Sequence, residues 1–138
     1  MSYIEHARHN ESVCNYLGKK ETYSDWVITT AFYSAMHYVR HLIIPAKIGD
    51  KSYSDFESLF CDHKSPMEGR HGFLRSYILM NYPQIGYEYG KLHDMSTTAR
   101  YTQYVYTRDQ AQISKRYLNK IKDFVNTTKP DINLAFFL

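Results

Sequence analysis

Residues 25–44, DWVITTAFYSAMHYVRHLII, constrain the fold more than any other stretch of this chain. The run is the most apolar in the sequence and holds no proline, no glycine and, after Asp25, no acidic residue. Its length approaches that of a membrane span, yet His37, Arg40 and His41 lie inside it. Charged side chains are expensive in a bilayer, so the run reads as a buried helix of a soluble bundle. Pro45 ends it, because the residue before a proline is pushed out of the helical region.

Local punctuation divides the rest. Ser2 with Glu5 has the capping-box pattern and opens a helix to about Gly18, with Ile4, Ala7, Cys14 and Leu17 on one face. Thr22 with Asp25 predicts a second capping box at the start of the apolar helix. Residues 46–69 show no regular period; a short helical turn is expected around Asp55–Phe60, and a loop this long is usually functional or partly mobile. A helix is expected over 70–80. Another starts near Pro83, with Ile85, Tyr89, Leu92 and Met95 at helical spacing. Thr107 with Gln110 predicts a third capping box, opening a helix striped by Ile113, Tyr117, Ile121, Phe124 and Val125 and ended by Pro130. The apolar tail INLAFFL is expected to pack on the bundle or on a neighbouring subunit. No strand pattern and no internal repeat stand out. The expected architecture is all-α, an up-and-down bundle of four to five antiparallel helices forming one domain over residues 1–138.

The net charge of +3 permits contact with nucleic acid without announcing it, since Lys and Arg are scattered apart from Lys115–Arg116 and Lys120–Lys122. Fourteen Tyr, seven Phe and one Trp make the chain rich in aromatics. Tyr-rich surfaces often meet a partner, although a helical core with Tyr at its rim accounts for them more simply. Cys14 and Cys61 form no CxxC pattern and read as free thiols of a reducing compartment. The opening residues carry charges every few positions and no apolar signal core, so a cytoplasmic, non-membrane protein is expected.

Helical spacing aligns Thr30, Tyr33, His37 and either Arg40 or His41 on one line of the central helix. Such a stripe is internally hydrogen-bonded, open to a cleft, or covered by a partner. The simplest reading is a neutral core histidine and a paired arginine. A zinc site would use His37 and His41 one turn apart, with His71 or His93 as a third ligand, but the Glu of an HExxH helix is missing. The third reading is phosphate chemistry. Metal-independent RNA cleavage needs a base, an acid and cations on the developing phosphorane charge. His37 and His71 are the catalytic candidates, with Arg40, Arg75 and Arg100 for phosphate. In RHGFLR, His71 and Arg75 are four apart and face the same way. No phosphate loop, GxSxG motif or carboxylate pair is visible.

In SDWVITTAFYSAMHYVRHLI, the residues Asp25, Trp26, Ala31, Phe32, Tyr33, Ala35, His37 and Tyr38 resemble the Asp-Trp, Phe-Tyr, Ala-x-His-Tyr helix of HEPN-domain proteins. HGFLRSYI resembles the following helix through His71 and Arg75. YGKLHDMSTTARYTQY matches through Leu92, Ser96, Ala99, Arg100 and Tyr101, and TRDQAQISKRYLNKIKDF fits the closing helix. The resemblance runs over roughly residues 3 to 126.

It implies a bundle of four or five helices, a homodimer, and either RNA binding or metal-independent endoribonuclease activity in toxin–antitoxin or other defence systems. Some relatives pair with a small nucleotidyltransferase; others are binding modules without catalysis. One departure is specific. Catalytic members carry Arg, four to six residues, then His; none of the seven arginines here has a His at that distance downstream. The expectation is therefore an RNA- or protein-binding module, with Tyr33 and Tyr101 supporting the site and no cofactor. The alternatives are an endoribonuclease with a non-standard His/Arg centre and a structural partner of a nucleotidyltransferase or other effector.

Overall fold

The computed structural model describes residues 1–20, 22–100 and 107–130, together with the backbone of Tyr101. The described chain is an all-α bundle with a small hairpin: α1 Tyr3–Gly18, α2 Ser24–Ile43, β1 Ala46–Ile48, β2 Lys51–Tyr53, α3 Phe56–His63, α4 Arg70–Asn81, α5 Pro83–Tyr101 and α6 Arg108–Thr128. The expected helical turn near residue 55 is a helix of its own, α3. No helix among the described residues is long and apolar enough to cross a membrane. The tail expected to pack on the bundle lies outside the described residues.

Two of the three predicted caps form. Ser2 accepts from the Glu5 N–H, and Thr107 makes a reciprocal capping box with Gln110. The box expected at Thr22 does not. Helix α2 starts at Ser24 with Tyr23 at the cap position and no side-chain cap, so Thr22 sits one residue too early to reach the third helical N–H. Asp25 in the first turn still complements the helix dipole.

Helix α2 is the centre of the bundle, packed by α1, α5 and α6. Phe32, Ala31, Ala35 and Val39 are fully buried. Small residues bring α1 close: Ala7 is fully buried, and its carbonyl accepts from the Ser34 hydroxyl at 2.7 Å. Tyr38 spans the same interface to Glu11 at 2.8 Å, and Lys122 of α6 reaches the same carboxylate at 2.8 Å. At the far end Lys129 donates to the His41 and Ile44 carbonyls at 2.7 and 2.6 Å. These are C-terminal groups of α2 that the helix itself leaves without partners. Cys14 is buried and Cys61 exposed, both as free thiols.

The hairpin was not expected. Ala46 pairs with Tyr53, Lys47 with Ser52 and Ile48 with Lys51, leaving Gly49-Asp50 as a two-residue loop. Gly49 has φ 60, the left-handed region that a glycine-first hairpin turn requires. The hairpin holds α3 through Tyr53, whose hydroxyl meets Asp62 at 3.0 Å and His63 at 2.9 Å.

Candidate functional site

The polar line of α2 survives folding as a partly exposed stripe. Thr30, Tyr33, His37, Arg40 and His41 are each half-buried, while Val27, Ile28, Ala31, Phe32 and Ala35 beside them are buried. Thr30 spends its hydroxyl on the Trp26 carbonyl at 2.7 Å, within the helix. Tyr33, His37 and Arg40 meet groups from four different elements.

Tyr33 meets α4 and α5. Its hydroxyl accepts from Arg100 Nη1, and the guanidinium carbon of Arg100 lies 5.3 Å from the Tyr33 ring centroid. The His71 ring is 6.2 Å from Tyr33 and 5.6 Å from His93. All of them surround Phe32, which sits 5.4 Å from His71 and stacks on His93 at 5.3 Å. Phe32 is fully buried, so it forms the apolar floor beneath two imidazoles and a guanidinium.

Farther along the stripe, His37 stacks on His6 of α1 at 4.8 Å. Arg40 lies over the Phe56 ring of α3 at 4.4 Å, a cation–π contact. Arg75 projects one turn after His71. It forks onto Asp94 with bonds of 2.7 and 3.3 Å and approaches His93 Nδ1 at 3.3 Å. Gly90 makes room for it: a Cβ there would stand 3.0 Å from Arg75 Nη2. Tyr101 ends α5, and its side chain lies outside the described residues.

The structure thus brings Tyr33, His71 and Arg100 together, with Arg75 at the edge and His37 and Arg40 along the same helix. His93, in sequence a candidate only for a metal site, is a further member of this cluster. Its signal was legible: Tyr89, His93, Ser96 and Arg100 recur at four, three and four residues on α5. His37 and His71 fall into separate imidazole pairs, His37 with His6 and His71 with His93. Among the described residues no three or more His, Cys, Asp or Glu side chains are grouped so as to hold a metal ion.

Burial and neighbouring cations set the charge states. Desolvation, then Arg40, then His6 push His37 down to about 4. Burial also lowers His71, assisted by His93, Arg100 and Arg40. His93 is lowered by burial and by Arg75, with Asp94 opposing. Burial works against the charge of Arg40, but a guanidinium keeps its proton at any ordinary pH. The result is neutral imidazoles, each with one lone pair and one N–H, among fixed cations. That combination can accept a proton from a hydroxyl and stabilise negative charge.

Several buried polar atoms here have no partner among the described residues: His37 Nδ1, Arg40 Nε, His71 Nδ1, Tyr89 Oη and Ser96 Oγ. A buried polar group without a partner is costly, so a cluster of them marks a region not optimised for stability alone. Compared with known proteins, the chain matches no family model, no curated protein and no solved structure.

Proposed function

We propose that this chain is a HEPN-like helical module that binds RNA through the face shared by α2, α4 and α5. The observation that carries the reading is the Arg100–Tyr33 hydrogen bond beside the His71–His93 pair, which gathers a cation and two imidazoles from α4 and α5 around a phenol of α2. Arg100 and Arg40 supply the cations for phosphate oxygens, since a planar guanidinium matches their geometry. Arg75 stands ready at the edge, its charge shared with Asp94. The family resemblance extends the proposal to a cytoplasmic homodimer working in a defence or toxin–antitoxin setting.

A second reading is metal-independent endoribonuclease activity. It is favoured by His71, whose lowered basicity leaves it neutral at pH 7 beside Arg100, as a general base requires. One experiment separates the readings. Purified protein is incubated with mixed RNA in EDTA, and retention and cleavage are scored together for wild type and His71→Ala. Binding that weakens steeply with salt, without cleavage, is the expected result. Cleavage by wild type that His71→Ala abolishes would establish the enzyme instead. No retention at low salt would overturn both and favour a structural partner of a nucleotidyltransferase or other effector.

A further inference from the structure

We infer that Trp26 is the base-stacking residue of this face, taking an unpaired base whose phosphate is held by Arg100. The inference rests on the RNA-binding reading and names a further binding residue of that site.

Trp26 is the only tryptophan in the chain, and 56% of it is exposed. It extends the polar stripe of α2 by one turn towards the helix start. Trp26, Thr30 and Tyr33 follow one another at four and three residues, so they share one side of the helix. Tyr23, at the cap position, is 46% exposed and is a second open aromatic ring at this end of α2.

The end of this line is concave. Among the described residues, Asp25, Trp26, Thr29, Ala99 and Arg100 line a cleft of about 120 Å³ between α2 and α5. Its middle offers little polarity, because the Thr29 hydroxyl is committed to the Asp25 carbonyl at 2.9 Å and Ala99 contributes a methyl. The two charged walls are opposite in sign. A phosphate is repelled by Asp25 and attracted by Arg100, while an exocyclic base amine suits the Asp25 carboxylate. A nucleotide therefore has one preferred orientation: phosphate towards Arg100, base face on the indole, base edge towards Asp25.

Only unpaired bases can meet this geometry. In a duplex the base faces are covered by stacking, whereas loops and single strands splay their bases onto aromatic side chains. An aromatic beside a cation is the recurring platform for single strands.

The test uses the full chain and intrinsic fluorescence, since one tryptophan makes the signal unambiguous. Oligoadenylate of ten nucleotides and a blunt, loop-free RNA duplex at equal phosphate concentration are titrated at low salt, with affinity read independently by anisotropy of a labelled strand. We expect the single strand to quench Trp26 and to bind more tightly than the duplex. Trp26→Ala should weaken it about tenfold and Trp26→Phe much less. Quenching in the wild type needs no variant, so a poorly folding Trp26→Ala leaves the test intact. Equal affinity for the duplex, or binding without quenching, overturns the inference and leaves the RNA-binding reading standing. Absence of binding to either RNA overturns both.

Discussion

Arg100 and Tyr33, 67 residues apart in sequence, share a hydrogen bond in which the guanidinium donates to the phenol and also rests against its ring. The pair ties the C-terminal turn of α5 to the middle of α2, and it aims Arg100 along the polar stripe. Tyr33→Phe keeps the ring and removes the acceptor. We expect a stability loss of about 1 kcal/mol by urea unfolding. RNA affinity should fall severalfold, because Arg100 loses its anchor. An unchanged affinity would show that Tyr33 does not position Arg100.

The neighbouring arginine is restrained differently. Arg75 is forked onto Asp94 at a partly exposed site, where such a pair is worth about 0–1 kcal/mol. Asp94→Asn is therefore expected to leave the urea midpoint nearly unchanged. It removes a negative charge beside the cations, so RNA should bind more tightly. His93, which Asp94 now holds up against Arg75, should titrate lower still by NMR. A rise in the His93 pKa would contradict this electrostatic account.

Stability should depend on pH through the histidines. His37 has a folded pKa of about 4 against 6.5 for the free side chain, and His71 and His93 are shifted in the same direction. The unfolded chain then binds more protons than the folded one between those values, so stability rises with pH across this window. Lowering the pH from 7.5 to 5 should cost about 2 kcal/mol from His37 alone, with further loss from the other two. Asp94, whose carboxyl is lowered by Arg75, acts below its ordinary value of 3.8 and does not contribute in this range. Urea midpoints of wild type and His37→Gln at both pH values measure the effect, which should shrink in the variant. Equal slopes in the two proteins would rule out His37 as a source.

Lys129 closes the C-terminal end of α2 from outside the helix, donating to the His41 and Ile44 carbonyls. Burial lowers the pKa of its ammonium, so the charge is held there against some desolvation. Lys129→Met preserves the stem and removes the donors. A loss of about 1–3 kcal/mol in a thermal or urea melt is expected, as for a bond to a charged group. A melt identical to wild type would mean that solvent satisfies those carbonyls equally well.

The hairpin is faint in the sequence because its strands are three residues each and do not alternate clearly. Yet IGDK carries a two-residue glycine turn at Gly49-Asp50 that signals a hairpin. On α6, Ile121 and Val125 are buried as expected, but Ala111, Ser114 and Leu118 share their buried face, while Ile113, Tyr117 and Phe124 are half-buried. Small residues let α6 approach α2 closely, and the larger apolar side chains close the seam from its rim. Met95 is likewise half-buried rather than a core member.

The sequence by itself determined the helices, two of their caps, the placement of α2 at the centre and the membership of its polar stripe. These depend on local spacing and on periodicity within one element, which a sequence states directly. Only the tertiary structure decided which side chains meet. It put His71 against His93, His37 against His6, Arg100 against Tyr33 and Arg75 against Asp94. Those pairings follow from the register of one helix against another, set where Ala7 meets Ser34 and where Phe32 seats between α4 and α5. That register comes from the packing of the whole core and from no single stretch of chain.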